Sequence, residues 1–454
     1  MRRFSTTILM AVMLAGLGAY LYWVELPSER SKALTEAQEK KLLPFEERDV
    51  TSLSVRSGSN EVVMAAGENR HWSITAPLQT DADSREVESV LRALLLGKVS
   101  RVVEEKAPSL APFGLENPSA VLTIRTGASQ ETVSVGDSGP VSSTLYAMRA
   151  SDQKILLTDL APKDVLNKTL LTFRKKEILP VDRDKIQRLR LSYPPTEIVL
   201  YRMDKSWKIR FPIEADADQT EVRTLLFRME DLKAMAFIDP GPEHAALTKK
   251  LTKPEARITV YQAGAEPAVK LFQGGAGTGE AYAVTTPEAP IYRINPAAIK
   301  DLTRDLFTLQ DKRLLGLNLD EVGKLTVKTR EAQYVLSNQN GAWTLEGQSG
   351  VQSVDQQAAD LFVSRVVNLP AELRVVKQTG PLAPYGLSSP SAEFTATGKD
   401  GKARGRLVLG TRTGGLVYAM GERLPGIYQA RADILTQIPP KDNLLAKPGQ
   451  VANP

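Results

Sequence analysis

Hydrophobic and polar positions along this chain change period several times, and each change predicts an element. Phe4 to Val24 is an uncharged run of twenty-one residues behind Arg2 and Arg3. At about 1.5 Å rise per residue it reaches roughly 31 Å, one hydrocarbon core, so residues 1–24 are expected to span a bilayer once. Arg2 and Arg3 assign the front end to the cytoplasm, and Tyr20, Tyr22 and Trp23 suit the far headgroup layer. Everything after Glu25 is then expected outside the cytoplasm. A cleaved signal peptide is the rival reading, with Gly16 and Gly18 near a peptidase site, but the apolar run continues past them to Trp23. Ala11, Ala15 and Ala19 share one face of this helix, where small residues let a partner helix approach, although an alanine-rich anchor needs no partner. Residues 25–42 are charge-rich with scattered Leu34, Ala37 and Leu42, which predicts a short helical stalk.

Beyond the stalk the period falls to two. Thr51 to Val55, Glu61 to Ala65 and Trp72 to Thr75 alternate or carry β-branched residues between Gly and Asn turns, which predicts an antiparallel meander. The period then lengthens: Val87, Val90, Leu91, Leu94 and Leu95 form the stripe of a helix lying on a sheet, as do Val222, Leu225, Leu226 and Met229. Asp83 with Glu86, and Asp218 with Glu221, predict capping boxes at those helix starts; Asp355 keeps the cap, but Ala358 removes the box. Strands are expected again over Val121 to Arg125, Glu131 to Val135, Leu145 to Arg149 and Lys154 to Thr158, with a short helix near Ala161 to Leu170. Few crossover helices separate these strands, so antiparallel α+β is favoured over a parallel sheet.

The whole pattern occurs three times. Leu43-Pro44-Phe45, Leu179-Pro180-Val181 and Leu315-Gly316-Leu317 open successive copies, 136 residues apart. Trp72, Trp207 and Trp343 keep nearly that step, as do Pro118, Pro254 and Pro390, Gly136, Gly274 and Gly410, and Tyr146, Tyr282 and Tyr418. Repeat units are therefore expected at 43–178, 179–314 and 315–450, each long enough to bury its own core. Phe113-Gly114-Leu115 and Tyr385-Gly386-Leu387 read as structural latches in which Gly permits a positive φ and the following Pro118 or Pro390 precedes a strand. The second copy has Lys250 in place of that Gly, so its turn is expected to differ.

Composition narrows the chemistry. The net charge of +5 comes from 58 Lys and Arg against 53 Asp and Glu, with no concentrated basic face, so no nucleic-acid partner is expected. The absence of Cys removes disulfides, thiolate metal sites and cysteine nucleophiles, and the two His, His71 and His244, leave little for imidazole chemistry. Gly136-Asp137-Ser138-Gly139-Pro140 looks like a serine-protease nucleophile loop, with His71 preceding it in the right chain order. A triad needs an imidazole held beside an activated Ser, and His71 lacks the small-residue context. A hairpin turn accounts for Ser138 and its counterparts near Ala276 and Arg412. Gln273 to Gly279 is glycine-rich but leads into the strand Ala281 to Val284 rather than a helix, so it reads as a turn and not a phosphate cradle. Lys249, Lys250 and Lys253 form a local basic cluster, read as a solvated face, with an anionic envelope polymer the alternative. No metal or cofactor is expected.

The recurrent Trp, the Phe/Tyr-Gly-Leu-x-x-Pro latch, the Gly-ended strand before Tyr-Ala, and Phe173-Arg174-Lys175-Lys176 leading to Ile178-Leu179 resemble the bacterial family of unknown function DUF4340. The likeness runs from Leu43 to the C-terminus and departs at Asn340 to Gly350, where the usual Pro after the Trp strand is missing. It implies one N-terminal membrane helix, an association with ABC-type transporter components, and kinship with part of the gliding-motility-type ABC auxiliary proteins; it transfers no catalytic residue. The expected function is a non-enzymatic, membrane-anchored accessory or scaffold whose partners are an ABC-type permease and ATPase or other envelope proteins. An envelope glycan- or lipid-binding module is the alternative, and an envelope hydrolase resting on Ser138 is a distant third.

Overall fold

A computed structural model of the chain describes residue 13 and residues 40–446, apart from 142, 161–162, 276–278, 340, 348–349 and 377–379. The expected stalk before residue 40 and Ala11, Ala15 and Ala19 lie outside the described residues. Among the described residues no helix is long and apolar enough to cross a membrane.

The first unit builds one antiparallel sheet from β1 (Val50–Ser57), β2 (Asn60–Ala66), β3 (Trp72–Ala76), β4 (Thr80–Asp81), β5 (Val99–Glu104), β6 (Ala120–Thr126), β7 (Gln130–Ser138), β8 (Leu145–Arg149) and β9 (Ile155–Thr158). Their order is β4-β3-β2-β1-β6-β7-β8-β9-β5. Two four-stranded meanders thus run outward from the central β1–β6 pair, where Leu53 faces Ile124 and Val55 faces Leu122. The helix α1 (Ser84–Leu95) carries the chain from the β4 edge to β5 at the opposite edge. Its stripe of Val87, Val90, Leu91, Leu94 and Leu95 is buried with Trp72, Leu53 and Met64. Dehydrating such side chains contributes about 1.5–3 kcal/mol each.

The expected helix near 161–170 divides into two single turns, Lys163–Leu166 and Leu170–Phe173. Strands β4 and β5 carried no clear alternation. The first is two residues long, and the second, Val-Ser-Arg-Val-Val-Glu, mixes charge into an edge strand.

Two further nine-stranded sheets repeat this order strand for strand, giving three sheets of one topology in an α+β chain. Their helices are α2 (Gln219–Glu230) and α4 (Gln356–Val367). Between them, α3 (Pro242–Lys250) stands in the second sheet where the other two carry a 3-10 turn. This is the departure expected from Lys250: Gly114 and Gly386 end their turns at φ 66° and 69°, whereas Leu251 ends α3 at φ −82°.

The chain divides into two compact units, residues 1–176 and 177–454, and the second holds two sheets. Glu177 already bridges Lys233 of the second sheet's own elements, and Arg313 bridges Pro370 in the same way in the third.

Candidate functional site

The recurrent residues explain themselves in packing terms. Trp72, Trp207 and Trp343 open the third strand of each sheet and are buried. The side chain following each capping aspartate ties that strand to the helix start. Gln219 accepts from Trp207 N at 2.8 Å and donates to Trp207 O at 2.9 Å, Gln356 does the same at Trp343 (2.7 and 2.9 Å), and Ser84 accepts from Trp72 N at 3.2 Å. Asp83, Asp218 and Asp355 cap α1, α2 and α4, accepting from the backbone N–H groups of Arg85, Thr220 with Glu221, and Ala358. The capping box expected at Asp83 is not what holds Glu86, whose carboxylate instead meets Lys168 Nζ at 3.4 Å.

The latches cover the sheet face opposite the helix. Phe113 meets Tyr146 edge-on with ring centroids 5.1 Å apart, and Tyr385 meets Tyr418 likewise at 5.1 Å. Gly136 and Gly410 pass so close beneath that a β-carbon on either would sit 2.1 Å from the carbonyl oxygen of Phe113 or Tyr385. In the second sheet Tyr282 packs with Phe272, Ile291 and Leu247 of α3, and its hydroxyl donates to Glu280 at 2.7 Å. Burial, reinforced by Glu280, pushes that phenol up to about 12. Pro118, Pro254 and Pro390 each precede the same ladder bond, donated by Ser119, Glu255 and Ser391 at 2.8 Å, so no strand donor is lost at the prolines.

Ser138 ends β7, exposed and paired with Leu145, while its neighbour Asp137 meets Lys163 Nζ at 3.2 Å. His71 precedes β3, with Nε2 3.7 Å from Asp81 Oδ1. Four strand spacings separate β3 from β7, roughly 19 Å at about 4.8 Å each, so the two do not form a nucleophile and base. His244 lies in α3, its Nε2 3.1 Å from Ala289 O. The glycine-rich segment joins the paired strands Ala268–Gln273 and Ala281–Val284, with Gly274 N donating to Glu280 O at 2.7 Å. Lys249 and Lys250 are exposed at the C-terminus of α3, where cations complement the helix dipole. Among the described residues no group of three His, Asp or Glu could hold a metal ion.

The densest polar constellation was not anticipated from sequence, and it lies in the second unit between its two sheets. Gln310 bridges Ala217 beside the start of α2, and Arg313 bridges Pro370 just after the end of α4, so only Asp311 and Lys312 separate the two attachments. Arg423 crosses this splice, donating through Nη1 to Asp311 Oδ2 at 2.8 Å and through Nη2 to Asp216 Oδ2 at 2.5 Å. Arg313 grips Asp311 through Nη2 at 2.7 Å and Nε at 3.0 and 3.1 Å, and Lys208 Nζ reaches Asp216 at 2.9 Å. The Lys208 hydrogen bond, then Arg423, holds Asp216 below the usual carboxylate range. Burial alone would raise Asp311, but the hydrogen bonds from Arg313 and then Arg423 outweigh it and leave its carboxyl lowered. Both carboxylates therefore stay ionised at neutral pH and make weak proton acceptors.

A cavity opens on either side of this network. One, of about 620 Å³, is walled by Ile213, Leu306, Leu424 and Pro425 with Arg374, Gln310 and Tyr428. The other, of about 660 Å³, is lined by Asp218, Lys312, Arg313 and Glu372 with Ala217, Pro370 and Ala371. Phe307, from the end of the second sheet's chain segment, stacks on Tyr428 of the third with centroids 6.0 Å apart and joins the third core.

Three sheets of one strand order with the same buried markers define a repeated α+β protein. The profile of the domain of unknown function DUF4340 matches twice, over residues 72–249 and 207–373, together more than half of the chain, and the protein belongs to that family. The matches begin at the equivalent Trp72 and Trp207, so their offset is the internal repeat. No curated protein and no solved structure matches the chain.

Proposed function

We propose that the chain is a non-enzymatic, membrane-anchored accessory or scaffold protein of an ABC-type export assembly, its repeated body held on the periplasmic side of the inner membrane. The observation that carries this reading is the splice at Asp311. There the strongest polar groups of the second unit are matched to one another and fix two sheets together, which suits a protein that works by presenting surface. The uncharged run Phe4 to Val24 behind Arg2 and Arg3 supports the anchor and the side of the membrane. The permease and ATPase partners follow from the family resemblance, and energy would come from them, since a single anchor conducts nothing alone. Affinity purification of the full chain from native membranes is expected to recover a permease or an ATPase; recovery of neither overturns the reading.

A second reading, a binding module for envelope glycan or lipid, is favoured by the partly apolar cavity between the second and third sheets. Retention on isolated envelope polymer, without co-purifying transporter subunits, would select it.

A further inference from the structure

The cavity of about 620 Å³ contains polar groups that the splice network does not use. Gln310 lines it and is only 6% exposed, yet among the described residues its side-chain amide has no hydrogen-bond partner, its backbone N–H alone donating to Leu306. The amide therefore has its donors and acceptor open to whatever the cavity holds. Arg374 lines the same cavity, where its guanidinium meets the Tyr428 hydroxyl and lies 5.6 Å from the centre of the Phe307 ring, but it forms no ion pair among the described residues. Arg423, in contrast, is already committed to Asp216 and Asp311. The rest of the wall is largely apolar, and Ile213 is 38% exposed.

We infer that this cavity binds a monocarboxylate with an apolar body, its carboxylate held by Arg374 and by the Gln310 amide N–H. One guanidinium without an ion pair and one amide donor match one carboxylate, and a charged acceptor makes the stronger hydrogen bonds. Glu214, Asp216 and Asp311 also line the space, but Lys208, Arg313 and Arg423 pair with the two aspartates and Glu214 is exposed to solvent, so Arg374 is the lining cation open to an anion. The volume falls in the range of about 300–1,000 Å³ typical of small-ligand sites, and Ile213, Leu306, Leu424 and Pro425 would replace water around the ligand's chain. Such binding goes beyond a scaffold's role and does not depend on the export partners.

The test is photoaffinity labelling of the purified full chain with a twelve-carbon carboxylic acid bearing a diazirine, followed by peptide mapping. Labels are expected on peptides containing Ile213, Leu306 or Leu424, displaced by excess dodecanoate and not by dodecanol. Arg374→Gln should lower labelling at least tenfold and Gln310→Leu about threefold, while Arg374→Lys recovers part of it. Equal labelling by the matching diazirine alcohol, or undiminished labelling of Arg374→Gln, overturns the inference. If Arg374→Gln fails to fold, the dodecanoate and dodecanol competition on the unaltered chain decides: equal displacement by both defeats the proposal.

Discussion

Arg423 occupies the space that a side chain at residue 316 would need. A β-carbon built on Gly316 would lie 1.8 Å from Arg423 Nη1 and 2.6 Å from its Cδ and Cζ, and Gly316 itself sits at φ 62°. The other two repeats place Pro44 and Pro180 at this position, and Pro, fixed near φ −65°, has no access to that conformation. The glycine of the third repeat and the arginine that crosses the splice are therefore one adaptation. At Arg423's position the earlier repeats have Ser151 and Pro287.

Gly316→Ala is expected to loosen the second unit twice over, by about 1–2 kcal/mol for a left-handed residue and by about 1.5–3 kcal/mol for each charged hydrogen bond that Arg423 gives up in moving. In an Arg423→Ala background only the backbone cost remains. Native-state hydrogen exchange of the amides of residues 309–316 measures both. Equal losses in the two backgrounds would show that Gly316 and Arg423 are not coupled.

The splice also sets an acid limit. Asp216 and Asp311 have folded pKa values below their unfolded ones, so the stability they contribute is present above the unfolded carboxylate pKa, near 3.9, and is lost as pH falls through the lower folded values. Thermal unfolding of the full chain should show little change from these groups at neutral pH and a decline below about pH 4. Asp311→Asn is expected to be less stable at pH 7 and to flatten the acid decline. A variant with the original acid slope would mean that Asp311 is not among the groups responsible.

The close pass between strand and latch makes Gly410 intolerant of even one carbon. Gly410→Ala sets a β-carbon 2.1 Å from Tyr385 O, and displacing the latch should cost about 1–3 kcal/mol and separate Tyr385 from Tyr418. Gly415→Ala, with nothing within 4 Å, is the control and should stay within about 0.5 kcal/mol. Urea unfolding gives the energies, and near-ultraviolet circular dichroism reports the tyrosine pair.

Local pattern carried most of the architecture. The alternation at Thr51 to Val55 and the stripe from Val87 to Leu95 depend only on neighbours in sequence, and both elements form within a residue or two of the expected positions. The edge strand Val99–Glu104 escaped notice because one of its flanks has no partner to impose a period. Gln219 and Gln356 were readable in principle, since each follows its capping aspartate, but a surface-type residue gives no sign that it will hold a tryptophan backbone. Arg423 was beyond reach. It meets Asp216 from 207 residues away, and only the tertiary fold brings them together. The exchange of Pro for Gly at 316 marked the place without naming the partner.

The splice has a consequence for growth. With both Gln310 and Arg313 tied down, only Asp311 and Lys312 lie between, and each is itself held by a backbone bond, Asp311 N to Asp216 O and Ala371 N to Lys312 O, so the join between the second and third sheets has no slack. A further copy spliced in the same manner would follow its predecessor at a set increment.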